Sequence, residues 1–132
     1  MILYRPVGLK ELELIAATGW RAFPPRLPQQ PIFYPVLNFA YAEQIARNWN
    51  TKDAASGFAG FVTKFEVDDE HLKKFQIEVV GNKTHQELWV SAEDLAEFNQ
   101  HILGSITVEA QYYGQQFQGE LNSTTNLPVN LV

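Results

Sequence analysis

The sequence predicts an α+β fold in a single domain. Its 132 residues match the size of one domain rather than two. At 45% apolar and 13% aromatic against 19% charged residues, the composition is that of a chain that buries a core. Segments with the apolar period of a strand and segments with that of a helix both occur along it, giving about three helices.

Residues 2–7 (ILYRPV) are β-prone and run into Pro6-Val7-Gly8, a strand entering a turn, with Arg5 near its end. Leu9, Leu12, Ile15 and Ala16 then share one helical face, and Gly19 follows as a cap. Five prolines between positions 24 and 35 forbid a helix and leave an extended path with a short strand at Ile32 to Tyr34. Asn38 is an N-cap for a second helix, in which Ala42, Ile45, Ala46 and Trp49 recur at helical spacing. The stretch 51–57 reads as turn, and Phe61, Thr63, Phe65 and Val67 alternate as the inner face of a strand closed by Asp68-Asp69. EHLKKF forms one or two helical turns. QIEVV and HQELWV form two strands joined by a turn at Gly81-Asn82 and the loop Asn82-Lys83-Thr84. Ser91, with Asp94 three positions later, opens a third helix whose buried stripe is Leu95, Phe98 and Ile102 and which ends near Gly104. SITVEAQYY is the last strand. The domain is expected to span 1–113, with 114–132 a polar, mobile tail poor in charge and rich in Gln, Asn, Gly, Ser and Thr. Trp20, Trp49 and Trp89 are expected in the core.

Several function classes are excluded or disfavoured. Without cysteine there is no disulfide framework, thiolate nucleophile or sulfur-ligated metal. His71, His85 and His101 lack helical spacing with a carboxylate, so no metal is implied. A net charge of -5 offers no footprint for bulk nucleic-acid binding. No 18-residue apolar run occurs, and the N-terminus lacks a basic region followed by an apolar stretch, so a cytoplasmic protein without a membrane partner is expected. The oligomeric state stays open.

Three short segments carry the functional reading, through their order: Leu3-Tyr4-Arg5, then Ile32-Phe33-Tyr34 ahead of the Asn38-capped helix, then Gln86-Glu87-Leu88-Trp89-Val90 followed by a capped helix and Gly-x-Ile-x-Val. Over roughly 1–113 this resembles the ADP-ribosyltransferase fold, a compact α+β sandwich with a split, mainly antiparallel sheet that grips NAD. The resemblance implies that Arg5 contacts the cofactor, that Tyr34 lies against its nicotinamide, and that Glu87 orients the ribose whose bond to nicotinamide is broken. His85 stands two residues before Glu87, where many protein-modifying members carry Glu or Gln, and no Ser-Thr-Ser triplet follows the second strand, so the acceptor is open.

Cleaving that bond passes through an oxocarbenium-like state, which calls for a carboxylate near the ribose and cations for the pyrophosphate. Glu87 fills the first role, Arg5 and Arg26 the second, and His85 shares the strand face of Glu87. The function implied is an NAD-dependent ADP-ribosyltransferase or NAD glycohydrolase, with NAD as substrate and no metal. The alternative is an inactive nucleotide-binding or protein-interaction module on the same fold. An RNA 2′-phosphotransferase would want more basic residues than these ten spread thinly. The Asp-rich, magnesium-binding pattern of ADP-ribose hydrolases is absent.

Overall fold

A computed structural model describes residues 1–81 and 85–131. In chain order the elements are β1 (Ile2–Val7), α1 (Leu9–Ala17), β2 (Ile32–Phe33), α2 (Phe39–Asn48), β3 (Ala59–Val67), α3 (Asp69–Leu72), β4 (Ile77–Val79), β5 (Gln86–Leu88), β6 (Val90–Ser91), α4 (Leu95–Gln100) and β7 (Ile102–Tyr113). β3 is the centre of an antiparallel β1-β3-β7 sheet. β2 pairs with β6 and β4 with β5, both antiparallel. Val36 bridges Tyr4 of β1 on one side and Glu87 of β5 on the other, so a single extended residue joins the main sheet to the β4-β5 ladder. The α+β class and the antiparallel pairing agree with expectation. No helix among the described residues is long and apolar enough to cross a membrane.

The sheet separates two apolar clusters, because alternate strand residues point to opposite faces. Leu3, Val7, Phe61 and Phe65 face the larger core, which α1, α4 and the aromatic trio Phe23, Phe33 and Phe98 complete. Val36 and Val62 face the smaller one, closed by Ala42 and Ala46 of α2 with Tyr4 and Tyr41 at its margin. Small side chains let α2 lie close on β3. A Cβ at Gly60 would stand 2.3 Å from the Ala46 carbonyl oxygen, so no larger residue fits there.

Local signals mostly act as the residues predict. The Asn38 side chain accepts from the Tyr41 backbone N–H at 2.7 Å, and Asp68 caps α3 by accepting from Glu70 N–H. Gly19, at φ 77°, follows the end of α1. Four differences are physical. α4 is shorter than expected: Ser91 donates its hydroxyl to the Asp94 carboxylate rather than capping backbone, and 92–94 is a 3-10 turn. Ile102 opens β7 instead of closing the helix, since pairing with Val67 outcompetes another helical turn. Gly104, at φ 75°, therefore lies in a strand irregularity rather than at a helix end. The turn expected beyond Gly81, over 82–84, lies outside the described residues.

The fourth difference is the segment after Tyr113. Phe117 packs on Tyr113, and Phe117, Leu127 and Leu131 lie against the larger core. Asn130 Nδ2 donates to Glu13 of α1 at 3.0 Å. Leu121 bridges Pro128, and the Tyr113 hydroxyl donates to the Asn126 carbonyl. A segment too polar to fold alone finds its apolar partners on the finished domain.

Candidate functional site

Glu87 is a buried carboxylate without a cationic partner among the described residues. Through the Val36 bridge its side chain joins the α2 face of the sheet, where it is only 8% exposed. Two neutral donors hold it: the Tyr41 hydroxyl at 3.0 Å and the Trp89 Nε1–H at 2.7 Å. No ion pair to Glu87 exists among the described residues. Burying a carboxylate without a cation is unfavourable unless hydrogen bonds offset the lost hydration, so both donors matter. The same contact acts on Tyr41, whose hydroxyl is pushed up to about 12 by burial, then by its bond to Glu87 and the neighbouring negative charge.

Aromatic rings surround this carboxylate. Tyr34 meets Trp89 edge to face at 6.0 Å, and the His85 ring stacks on Tyr41 at 4.4 Å and 12°. His85 Nε2 lies 3.2 Å from Gln44 Oε1. Tyr34 and His85 therefore both reach the surroundings of Glu87.

Arg5 does not. Alternation along β1 turns Tyr4 toward α2 and Arg5 toward the larger core, so Arg5 and Glu87, both expected to contact one NAD, lie on opposite faces of the sheet. There Arg5 is buried, bound to Glu11 by Nε at 2.6 Å and Nη2 at 3.0 Å, with its guanidinium 4.6 Å from the Phe33 ring centre. Its Nη1 touches the Tyr34 carbonyl at 3.5 Å. A bidentate pair with a carboxylate leaves little of Arg5 for a phosphate. Arg26 lies near it in the long loop, half-buried, with Nε donating to the Gln30 carbonyl at 3.2 Å. Burial, then the charge of Arg5, lowers the Arg26 pKa, while Glu11 and Tyr34 oppose that shift. Tyr34 thus stands between the arginines and the Glu87 group.

A groove of about 640 Å³ opens on the α2 side, between Tyr41 and His85 at one end and Trp49, Asn50 and Asp53 at the other. Trp49 is 73% exposed at its rim and Trp89 is half-exposed, which corrects their expected place in the core. Asn50 Oδ1 is buried without a partner among the described residues. Periodicity identified Trp49 as a helix-face residue, but α2 covers only the small second cluster, so its last turn overhangs the sheet.

One group of side chains suited to a metal ion also appears, from residues whose sequence spacing implied none. His71, Glu97 and His101 come together from α3, α4 and the turn after α4. Neither the search of protein-family models nor that of curated proteins or solved structures finds a match to this chain.

Proposed function

We propose that Glu87 is the carboxylate of an enzyme site that cleaves the bond between nicotinamide and ribose in NAD, passing ADP-ribose to water or another acceptor. The observation that carries this reading is a carboxylate 8% exposed and held by two neutral donors, with no cation bound to it among the described residues. Such a group is poised for positive charge that arrives with a ligand. In the ground state that charge is the pyridinium ring, to which Tyr34 and Trp89 offer ring faces and edges. As the C1′–N bond breaks, its electron pair leaves with nicotinamide and the positive charge passes to the ribose. Glu87 stabilises that centre, and the acceptor oxygen adds to C1′ as its proton is released. Arg26, which lies near Arg5 but has no carboxylate among its hydrogen bonds, is freer than Arg5 to meet the pyrophosphate of a ligand that extends past Tyr34.

The test is incubation of purified protein with NAD and measurement of free nicotinamide, alongside NAD affinity by calorimetry. Release above the rate without protein supports the enzyme. Binding without release favours the second reading, a nucleotide-binding module of the same shape, which the exposed Trp49 and the unpartnered Asn50 Oδ1 of the groove support. Neither binding nor release would remove both.

A further inference from the structure

We propose that His71, Glu97 and His101 form a site for a divalent transition-metal ion of the zinc type, at the end of the sheet where β3 finishes and β7 begins. One donor atom from each residue lies within 4.8 Å of the others. The imidazoles of His71 and His101 stack at 4.1 Å with 6° between their planes, so His101, on the more exposed side, must rotate out of that stack for both in-plane lone pairs to meet one ion. The second observation is independent of that cluster. His71 is 6% exposed, and its Nε2 is buried with no hydrogen-bond partner among the described residues. A buried nitrogen without a partner is uncommon in a folded chain, and a coordinated cation is one of the few occupants that would satisfy it.

The donor set selects the ion. Two imidazole nitrogens and one carboxylate oxygen, with water completing the shell, match zinc and its neighbours and are too few hard oxygens for calcium. Zn–N bonds of about 2.0–2.1 Å would require the three donors to close toward roughly 3.3 Å separation. The exposed side of the cluster permits this. Glu97 is solvent-facing and tied to Lys74 at 3.0 Å, and the His101 side chain is about a third exposed (37%). Asp68 Oδ2 stands 3.7 Å from His101 Nδ1, beyond hydrogen-bond distance, and would have to close by several tenths of an ångström to orient that imidazole through its other nitrogen.

The position has a structural consequence. Asp68 N–H already donates to the His101 carbonyl at 3.1 Å, so an ion here would staple both ends of the segment 71–101. That segment carries β5 and Glu87. The site is separate from the Glu87 group and stands or falls without it.

The experiment uses the full chain stripped with EDTA and titrated with Co²⁺, then Zn²⁺. One equivalent of Co²⁺ is expected to develop the visible bands of a low-coordinate site, Zn²⁺ to displace them, and saturating Zn²⁺ to raise the melting temperature. Glu97→Gln and His101→Gln, both on the accessible side, should each weaken Co²⁺ binding at least about 10-fold while leaving the metal-free melt close to wild type. His71→Gln should abolish the bands, but its burial makes the two surface variants the deciding ones. Absence of Co²⁺ bands in wild type would overturn the proposal. So would unchanged affinity in both surface variants, or loss of binding in His85→Gln instead.

Discussion

Replacing Glu87 by Gln removes one negative charge while nearly preserving shape. One of the two donors keeps its acceptor, as the amide oxygen accepts from Trp89 Nε1–H; the other bond reverses, the amide nitrogen donating to the Tyr41 hydroxyl oxygen and the Tyr41 proton turning to another acceptor. Exchanging charged for neutral hydrogen bonds costs about 1 kcal/mol each, so the variant should fold. The rate is another matter. A unit charge about 4 Å from the ribose centre, at an effective dielectric of roughly 20, is worth about 4 kcal/mol, so turnover should fall on the order of 100- to 1000-fold. NAD affinity should change far less, because the full charge develops only in the transition state. Tyr41 supplies a signature independent of activity. Burial will still hold its ionisation high, but the two contributions from Glu87 vanish, so tyrosinate absorbance should appear at lower pH than the wild-type value of about 12. The assays are nicotinamide release, calorimetry and alkaline titration on one folded preparation. Full activity in the variant would move the chemistry to other residues, and an unmoved Tyr41 titration would refute the contact itself.

In wild type, Tyr41, Tyr112 and Tyr113 should all ionise near pH 12, with burial the first cause in each. Because folding raises these pKa values, the stability they contribute is complete below about pH 10 and lost as pH rises through 12, which urea melts across that range will show. Phe98→Ala should cost about 3–5 kcal/mol in urea unfolding, since Phe98 is fully buried against the rings of Phe33, Phe65, His71 and Phe75; a loss under about 1 kcal/mol would contradict that packing. Ending the chain after Tyr113 removes Phe117, Leu127 and Leu131 from the core, about 1 kcal/mol each for partial burial, so the melting temperature should fall by roughly 10 °C. An unchanged melt would return that segment to the status of a dispensable tail.

Short-range chemistry was legible where a residue acts on its own neighbours. The Asn38 cap, the helix after it and the β3 alternation follow from side chains interacting within a few positions. The extent of α4 was not, because Ile102 suits either a helix stripe or a strand, and only the presence of Val67 across the sheet decides for the strand. Composition misjudged residues 114–131 for a related reason. Apolar side chains spaced without period cannot fold a segment, yet they can dock on a core built by others.

The residues around Glu87 show the same division. Its place on a strand, with His85 and Trp89 two residues to either side, is a consequence of local pattern, as is the class of fold. Which face Glu87 shares, and with whom, depends on Val36 threading between β1 and β5, through bridges that span some thirty and fifty residues of chain. Those two bridges set Glu87 beside Tyr41, while alternation along β1 sends Arg5 to Glu11 on the other side. Likewise His71 and His101 lie thirty residues apart and meet only because β3 finishes where β7 begins. Side-chain period is local physics and survives in one dimension. Strand partners and sheet faces are chosen by burial across the whole chain, and they determine which charges become neighbours.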